Sequence, residues 1–493
     1  MSTDLDLQCE HLHRAFATQR AALLAEPVPT LEQRLDRIDR VRRLVVEGEE
    51  RIRVAMTHDF ASLHPAMVVM LDTLPVIERV NFVEAHLAQW LRPRDVDLGD
   101  VHGSSRGQVV RSPKGVTGNI APWNFPIESA LVMVVDMLAA GNTCIVKPSE
   151  LAPATAAVLD ALVAEYFSPD ELTVVQGGPD LAAEFAAMPW DHLTFTGSAR
   201  VGRLVMAAAA ANLVPVTLEL GGKNPAVFAP DAAADDELIL RFLAFRTLKA
   251  GQICTSPDHA LVPRDQLDDW VERARRLWQQ AYPTHVGHRD ATGIINTHHV
   301  DRLLGYLDEA RARGVRVVGL NDDQPDRERR QVPLTLVVDA PDDLGCMTDE
   351  VFGPVIPVVA YDPGEGVHAV DPVIARINAG PSPLGAYLVT RDETVMRRFV
   401  DRVRCGGIGI NTFGLQGGHA ALPFGGFGAS GHGCHGAYEG FCTYTHARSV
   451  FHGADDSYVH QVILPPYDHL SPDGPGEPAV ADVAENRSDG SHS

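Results

Sequence analysis

The segment Gly-Gln-Ile-Cys at residues 251–254 places a cysteine directly after a glycine turn, in a polar stretch that continues Thr-Ser-Pro-Asp. A thiolate in an exposed, polar loop can attack a carbonyl carbon, provided that its surroundings lower the thiol pKa from its usual value of about 8.5. Free cysteines, however, are most often buried as small apolar residues. The local sequence leaves both interpretations of Cys254 open.

Glu219 and Asn124 are two further residues that could take part in chemistry on a carbonyl group. Glu219 ends the apolar stretch Val-Thr-Leu, and a carboxylate at the C-terminal end of a parallel strand faces the ligand crevice, where it can activate water. Asn124 lies in Pro-Trp-Asn-Phe-Pro, where a fixed amide could donate to an oxyanion. The alternatives are a salt-bridged or helix-capping glutamate and a structural turn asparagine.

Three other segments could hold a nucleotide. Lys147 and Glu150 follow an apolar stretch and could bind the two hydroxyls of a ribose, although an exposed ion pair that caps the next helix explains them equally well. Gly197 and Ser198 occupy a strand-to-helix turn, where backbone N–H groups and a hydroxyl suit a pyrophosphate. In the third segment, Glu350-Val-Phe-Gly-Pro, a carboxylate and an aromatic ring share one rigid turn.

These residues lie at the ends of elements in an alternating pattern of strands and helices. The expected strands are 143–146, 172–175, 192–196 and 216–220, with helices that begin near Pro153, at 180 and after Ser198. Repeated units of this kind predict a parallel sheet with helices on both faces, which is a nucleotide-binding architecture. The remaining expectations are helices over 10–95, a hairpin or arm at 96–112 and a second α/β region over 223–411.

Two patterns near the C-terminus imitate binding motifs. Residues 426–431 fit G-x-G-x-x-G, but no helix signal follows them, so a tight loop is the better interpretation. His432, Cys434 and His435 lie close together without an evident carboxylate to orient them, which favours loop residues over metal ligands. The sequence therefore predicts no metal site.

The composition limits the classes of function. The chain has 493 residues and a formal net charge of −23, which disfavours nucleic acid or an anionic membrane as a partner, because both require clustered Lys and Arg. Seven cysteines without a close pair indicate a reduced intracellular protein. The apolar stretch 127–141 contains Glu128 and Asp136 and is interpreted as a buried helix. We expect a cytoplasmic protein without a membrane anchor and with a disordered acidic tail at 471–493.

The order of the motifs carries more information than any one of them. PWNFP, KPSE, FTGS, ELGGKNP, GQIC, EVFGP and LPFGG follow one another within residues 120–431, and this arrangement closely resembles the NAD(P)-dependent aldehyde dehydrogenase superfamily. DFAS at 59–62 and Leu464-Pro-Pro-Tyr467 make the chain similar to the class 3 and coniferyl aldehyde dehydrogenase branch. The chain departs from that branch at Leu63–Ala66 and in the loop His432–Tyr438.

The resemblance implies that the chain oxidises an aldehyde to the carboxylic acid with NAD(P)+, through a thiohemiacetal and a thioester on Cys254. Glu219 would be the general base, and Asn124 with the backbone N–H of Cys254 would form the oxyanion hole. The implied cofactor-binding residues are Trp123, Lys147, Glu150, Gly177, Gly197, Ser198, Gly221, Glu350 and Phe352. NAD is the expected cofactor and NADP the alternative, because Glu150 would repel a 2′-phosphate.

The family's substrate tunnel maps onto residues that are mostly apolar. They are Phe125, Ser129, Val132, Ile253, Thr255, Phe413 and Phe424. This lining favours an aromatic, coniferyl-like aldehyde or a medium-chain aliphatic one. Among the alternatives, Glu219 argues against a CoA-acylating relative, and the full set of catalytic residues argues against a catalytically silent structural homologue.

The resemblance also implies an α/β fold of the aldehyde dehydrogenase type, with a Rossmann-like parallel-sheet cofactor domain, a second α/β catalytic domain and a small β oligomerisation element. Residues 1–100, 113–222 and 412–440 would form the cofactor-binding domain, and 223–411 the catalytic domain. Residues 101–112 and 441–470 would form the oligomerisation element of a homodimer.

Overall fold

The chain begins with helices, as its periodicity predicts. The computed structural model describes residues 4–467, so the acidic tail predicted to be disordered lies outside the described residues. The helices are α1 (Asp4–Ala25), α2 (Leu31–Glu47), α3 (Glu49–Asp59), α4 (Pro65–Val68) and α5 (Leu74–Trp90), with a π-helical turn, Val69–Thr73, before α5. Helix α2 starts at a capping box, in which Thr30 and Gln33 each accept the other's backbone N–H.

The predicted hairpin follows. Strands β1 (Arg94–Val96) and β2 (Arg106–Pro113) pair antiparallel, with Arg94 opposite Val109. The chain divides into two compact units, of which one comprises the residues up to Trp90 with Ser112–His446, and the other Leu91–Arg111 with the residues from Ala447 onward. The finer domain boundaries implied by the resemblance stay a prediction.

The next stretch alternates strands and helices as predicted. Its elements are β3 (Val116–Ile120), α6 (Glu128–Ala139), β4 (Thr143–Lys147), α7 (Pro153–Tyr166), β5 (Leu172–Val174), α8 (Pro179–Ala187), β6 (His192–Thr196), α9 (Ala199–Ala210) and β7 (Val216–Glu219). These strands form a parallel sheet in the order β7-β6-β3-β4-β5. The strand order reverses between β3 and β6, and ligands bind at such switch points, beyond the C-terminal strand ends. The segments that follow these two strands contain Asn124 and Ser198.

Asp59, the first residue of the DFAS signature, caps the start of α7. Its carboxylate accepts hydrogen bonds from the backbone N–H groups of Ala154 (3.2 Å) and Thr155 (2.8 Å). Pro153 occupies the first turn of α7, as predicted. The acidic partner of that turn therefore comes from α3 rather than from the neighbouring Glu150.

A second α/β stretch over the predicted region begins at β8. Its elements are β8 (Pro225–Phe228), α10 (Asp236–Thr247), β9 (His259–Pro263), α11 (Leu267–Ala281), α12 (Thr297–Ala312), β10 (Arg316–Gly319), β11 (Thr335–Val338), α13 (Gly345–Thr348), β12 (Val355–Tyr361), α14 (Asp371–Ala379), β13 (Gly385–Val389), α15 (Glu393–Arg402) and β14 (Gly407–Ile410). The strands lie in the order β10-β11-β12-β9-β8-β13-β14, parallel except for the pair β10 and β11. Phe228, Phe242 and Trp270 pack edge to face in the core between this sheet and its helices.

The C-terminal part returns to the first sheet. Its elements are α16 (Leu415–Gly418), β15 (Gly431–His432), α17 (Ala437–Thr443), β16 (Thr445–His452) and α18 (Tyr458–Val462). Strand β15 pairs antiparallel with β7 and places Gly431 opposite Glu219, while β16 pairs with β2. The G-x-G-x-x-G segment 426–431 forms a tight loop with a 3-10 turn at Gly428–Ser430, which confirms the interpretation as a loop.

Candidate active site

The turn before Cys254 has an unusual backbone. It follows α10 as a short 3-10 segment, in which Lys249 (φ 44°) and Ala250 (φ 54°) both adopt the left-handed conformation. Gly251 continues with φ 75°, and a Cβ there would lie 2.7 Å from the carbonyl oxygen of Gly353. Each left-handed non-glycine residue costs roughly 1–2 kcal/mol. Neighbouring groups must therefore hold this turn in place.

The side chain of Gln252 holds the turn from within. Its amide donates to the carbonyl oxygens of Lys249 (2.9 Å) and Gly293 (3.1 Å) and accepts from the N–H of Ile295 (3.0 Å). Gln252 is fully buried, so these bonds form away from water, where an unmade hydrogen bond is most costly. The glutamine of the GQIC motif is thus a structural anchor of the turn.

Asn224, the asparagine of the ELGGKNP motif, holds the chain at Cys254 and just after it. Its amide donates to the carbonyl oxygens of Cys254 (2.7 Å) and Ser256 (2.9 Å), and its oxygen accepts from the N–H of Gly385 (2.9 Å). Two motifs that lie about 30 residues apart in the sequence therefore meet at Cys254, through buried amide groups that keep the turn rigid.

The environment of Cys254 bears on the two interpretations that the local sequence leaves open. A reactive thiol requires an exposed, polar position that lowers its pKa, but the residue is half-buried. Burial raises the pKa of the thiol above its usual value, and the negative charges of Glu350, Glu128 and Glu219 raise it further. In the protein without bound cofactor, Cys254 is therefore a neutral thiol at pH 7, and attack on a carbonyl requires transfer of its proton.

Asn124 lies against the same turn. Its side chain is buried, and Nδ2 donates to the carbonyl oxygen of Gln252 at 3.1 Å. The amide group is thereby fixed two residues before Cys254, with a second N–H on the same nitrogen. The structure thus brings together two of the three residues that the sequence singles out for chemistry.

Glu219 is buried at the end of β7 and belongs to the same site electrostatically, since it is one of the carboxyls that raise the pKa of Cys254. Within residues 4–467 neither of its carboxylate oxygens has a hydrogen-bond partner. Burial therefore raises its own pKa well above the usual value of 4.5. The structure does not support the salt-bridged alternative.

Glu128 and Lys249 are site residues that the sequence reasoning did not assign. Burial raises the pKa of Glu128 to about 7, and the hydroxyl of Ser129 donates to its carboxylate at 2.8 Å. Lys249 is fully buried and donates to the backbone oxygen of Asn124 at 2.7 Å. The available signal was a charged residue in an apolar stretch for Glu128, and a lysine two residues before the GQIC motif for Lys249.

The residues expected to hold the nucleotide lie at the C-terminal ends of the strands of the first sheet. Lys147 is buried at the end of β4, and its Nζ donates to Glu150 at 3.1 Å. Ser198 precedes α9 and its hydroxyl accepts from the N–H of Val201 at 3.4 Å, so it lies at the positive end of a helix dipole. At Gly197 a Cβ would lie 2.6 Å from the ring of Phe195.

Glu350 and Phe352 lie between the first sheet and the Cys254 turn. The carboxylate of Glu350 accepts from the N–H of Gly222 at 3.1 Å and fills the space that a Cβ on Gly221 would occupy; burial raises its pKa to about 7. The ring of Phe352 contacts that of Trp123 edge to face at 5.4 Å. Two direct contacts thus join four of the predicted cofactor residues, Glu350 with Gly221 and Phe352 with Trp123.

Gly177, another predicted cofactor residue, has a different environment. It precedes α8, and a Cβ there would lie 2.5 Å from the side-chain oxygen of Gln8 and 2.6 Å from Leu181. The role assigned to it stays a prediction.

The residues of the predicted tunnel have differing surroundings. Phe424 and Thr255 both face Gly417, where a Cβ would approach them within 2.6 and 3.0 Å. Phe125 lies under the ammonium of Lys249, at 3.8 Å from its ring centroid. Phe413 instead packs inside the second core, 5.6 Å from Phe242. Val132 and Ile253 are buried, and Ser129 pairs with Glu128.

The ionisation of Cys254 leads to a testable pH profile. In the cofactor-free protein, the rate of Cys254 alkylation by iodoacetamide should keep rising beyond about pH 9.5, where an ordinary thiol is already ionised. Glu128→Gln should shift this profile to lower pH, because Glu128 is charged above about pH 7 and opposes the thiolate. Mass spectrometry of the Cys254 peptide measures the rate.

Glu165→Gln is the matched control for that profile, since Glu165 is a surface carboxyl paired with Arg51. It should leave the profile of Cys254 unchanged. A plateau near pH 8.5 in the wild-type protein would contradict the buried, negatively flanked thiol.

Within residues 4–467, no helix is long and apolar enough to span a bilayer. In the same range, no group of three or more His, Cys, Asp or Glu side chains could hold a metal ion.

The fold and the site define a nucleotide-binding α/β protein in which a thiol, an amide and several carboxyls surround one turn. A profile of the aldehyde dehydrogenase family matches residues 6–450. The probable coniferyl aldehyde dehydrogenase of Caulobacter vibrioides is 36% identical over 456 residues, which covers 91% of this chain and 93% of that protein. The probable coniferyl aldehyde dehydrogenase of Pseudomonas aeruginosa is 34% identical over 460 residues, which covers 93% and 94%.

A solved structure gives the same result. The substrate-bound state of Staphylococcus aureus AldH superimposes with a TM-score of 0.86 at 29% identity, and the match covers 92% of this chain and 97% of that one. The chain therefore belongs to the aldehyde dehydrogenase family. It is an oxidoreductase that converts an aldehyde into a carboxylic acid with a nicotinamide cofactor, as the order of its motifs predicted.

Proposed function

We propose that Cys254 is the nucleophile of this aldehyde oxidation, with Asn124 as the side-chain donor of the oxyanion hole and Glu219 as the general base. The observation that carries the proposal is the hydrogen bond from Asn124 Nδ2 to the carbonyl of Gln252, which fixes the amide beside the nucleophile's own turn. The buried carboxyl of Glu219 supports the third role, since burial raises its pKa above the usual value and so makes its carboxylate a stronger base.

The first stage forms a bond between the sulfur of Cys254 and the carbonyl carbon. The thiol proton passes to one of the surrounding carboxylates as this bond forms, because burial and those carboxylates keep the free thiol neutral. Negative charge develops on the substrate oxygen, where the second N–H of Asn124 and the backbone N–H of Cys254 can donate to it. Preorganised donors of this kind stabilise the tetrahedral intermediate.

The residues around the crevice fit a dinucleotide. Lys147 and Glu150 lie together at the end of β4 and suit the adenosine ribose, and Ser198 with Gly197 offers a helix N-terminus to the pyrophosphate. Glu350 and Phe352 would hold the nicotinamide riboside, and the absence of a Cβ at Gly221 lets the carboxylate of Glu350 approach the backbone there. Bound NAD(P)+ supplies the hydride acceptor.

The second stage releases the acid from the thioester on Cys254. Glu219 would take a proton from water as the water oxygen attacks the thioester carbon, and the sulfur of Cys254 leaves. The free carboxylate oxygens of Glu219 support this task, because within the described residues no competing hydrogen bond holds them. A hydrolytic base in this position also favours water over CoA as the acyl acceptor.

The substrate we propose is an aromatic, coniferyl-like aldehyde, with medium-chain alkanals as the second class. The supporting observations are the coniferyl aldehyde dehydrogenases among the similar proteins and the aromatic rings of Phe125 and Phe424 near the turn. NAD+ is the preferred cofactor in this proposal, because Glu150 would repel a 2′-phosphate. The protein would act as a cytoplasmic homodimer.

Release of NADH tests the proposal directly. Purified protein is mixed with benzaldehyde, cinnamaldehyde, coniferyl aldehyde and an alkanal series, with NAD+ or NADP+, and absorbance at about 340 nm is followed while mass spectrometry identifies the acid. We expect the highest kcat/KM for the aromatic propenals with NAD+, and no requirement for CoA. Absence of NADH with every aldehyde, or formation that depends on CoA, would contradict the proposed function.

A further inference from the structure

The ammonium group of Lys249 is an unusual feature of the nucleophile's turn. The side chain is fully buried, and its Nζ donates to Asp72 at 2.5 Å and to the backbone oxygen of Asn124 at 2.7 Å. The same nitrogen lies 3.8 Å from the ring centroid of Phe125. Every side of this buried cation therefore faces a group that stabilises it.

The partner of Lys249 comes from a distant part of the sequence. Asp72 lies in the π-helical turn Val69–Thr73, a rare backbone form that frequently occurs at functional sites. Burial raises the pKa of its carboxyl, and the ammonium of Lys249 and the backbone N–H groups of Glu128 and Ile127, at the start of α6, offset only part of this rise. The buried ion pair therefore joins three segments, which are the π-helical turn, the start of α6 and the turn before Cys254.

Asn124 lies between these segments and is held at two points. Its backbone oxygen accepts from Lys249, and its side-chain Nδ2 donates to the carbonyl of Gln252. Lys249 and Gln252 belong to one turn, and the amide of Gln252 also donates to the carbonyl of Lys249 at 2.9 Å. Movement of the lysine would thus change both the position of Asn124 and the backbone that leads to Cys254.

The left-handed backbone at Lys249 is consistent with a functional constraint. A residue with a Cβ adopts φ 44° only when its surroundings hold it there, and such strain concentrates at active sites. Here the ion pair with Asp72 supplies the holding contact. A buried pair of this kind is a poor source of net stability, because desolvation of two charges offsets their attraction.

We propose that Lys249, held by Asp72, is a positioning residue for the oxyanion-hole amide of Asn124. It acts through the backbone carbonyl of Asn124 and the strained turn, and it does not touch the substrate. The inference rests on the proposed function, in which Asn124 stabilises the oxyanion formed when Cys254 attacks. Its consequence is that the pair controls the rate of acylation more than the affinity for the aldehyde.

Substitution of only one partner would not separate an effect on the position of Asn124 from an effect on the stability of the protein. Lys249→Met leaves Asp72 as a buried carboxylate without a counter-charge, which is strongly destabilising in itself. The double variant D72N/K249M removes both charges and should recover much of the stability. The carbonyl of Asn124 still lacks its donor in this variant, so the two contributions become separable.

The experiment compares the double variant with the wild type by rapid mixing and by thermal unfolding. In D72N/K249M we expect the NADH burst to slow at least about 10-fold, since a displacement of about 1 Å at a reacting centre can cost 100-fold in rate. KM for the aldehyde and the unfolding temperature should stay close to wild-type values. Asn124→Ala should show the same slow burst, because both changes act on one amide.

R79M/D136N is the matched control. Arg79 and Asp136 form another buried pair, with Nη1 and Oδ2 2.8 Å apart, and Asp136 also accepts from a backbone N–H, that of Gly436 at 2.9 Å. This variant should keep the wild-type burst rate. A wild-type burst in D72N/K249M together with a slow burst in Asn124→Ala would overturn the positioning role alone. If Asn124→Ala also kept the wild-type burst, the proposed oxyanion hole itself would be wrong.

Discussion

Replacing Cys254 by alanine should abolish NADH formation from aldehydes, including the first turnover. No S–C bond can form, so the carbonyl carbon never reaches the tetrahedral state from which a hydride leaves. We expect a loss of more than about 10³-fold in the burst rate, in line with the removal of other catalytic nucleophiles. Serine at the same position should give the same result, because its hydroxyl is a much weaker nucleophile. Stopped-flow fluorescence of NADH measures the effect.

Cys405→Ala is the control for this substitution. Cys405 is likewise half-buried and donates to the carbonyl of Gly407 at 3.4 Å, at the start of β14. It should leave both the burst and the steady rate near wild-type values. NADH formation retained in the Cys254 variant would show that another group attacks the aldehyde.

Glu219→Gln should separate the two stages of the reaction. Glutamine has nearly the same shape but cannot accept the proton of the attacking water, so a stoichiometric burst of NADH should remain while steady turnover falls by at least about 100-fold. The acyl group should then be found on the Cys254 peptide by mass spectrometry. If both phases survive, Glu219 is not the hydrolytic base; if both are lost, it acts already in acylation.

The stability of Glu219→Gln provides an independent check of the same residue. Burial raises the pKa of Glu219 in the folded protein above 4.5, its usual value, so the folded state binds its proton more tightly than the unfolded state does. This contribution to stability is fully present below about pH 4.5 and is lost as pH rises through the folded pKa. The glutamine side chain does not titrate, so the variant does not lose stability in this way as pH rises. The difference between its unfolding temperature and that of the wild type should therefore increase with pH.

The strand ends and the motif residues are the parts of this protein that could be predicted from sequence. The boundaries of β4, β6 and β7 agree with expectation to within one residue, because short apolar stretches followed by proline or glycine leave few alternatives. The meeting of Asn124 with the Cys254 turn was expected only through the resemblance to a family. Pattern and spacing alone left each of these residues with a structural alternative.

Contacts between distant segments could not be predicted in this way. The pair of Asp72 and Lys249 joins residues 177 positions apart, and neither lies in a pattern that indicates the other. The ionisation of Cys254 depends on carboxyls from three different segments, which a reading of its polar neighbours in sequence cannot include. Both features arise from burial, and burial is a property of the whole fold.

The pairing of Glu219's strand with β15 has a consequence for synthesis of the chain. Strand β7 is complete at residue 219, whereas its antiparallel neighbour ends at residue 432. At a ribosomal rate of 5–20 residues per second, the intervening stretch of about 200 residues takes roughly 10–40 s to emerge. During that time the strand of Glu219 lacks this neighbour, and an unpaired strand edge can bind another chain. We therefore expect the edge of β7 to be the part that a chaperone must cover until residue 432 has been synthesised.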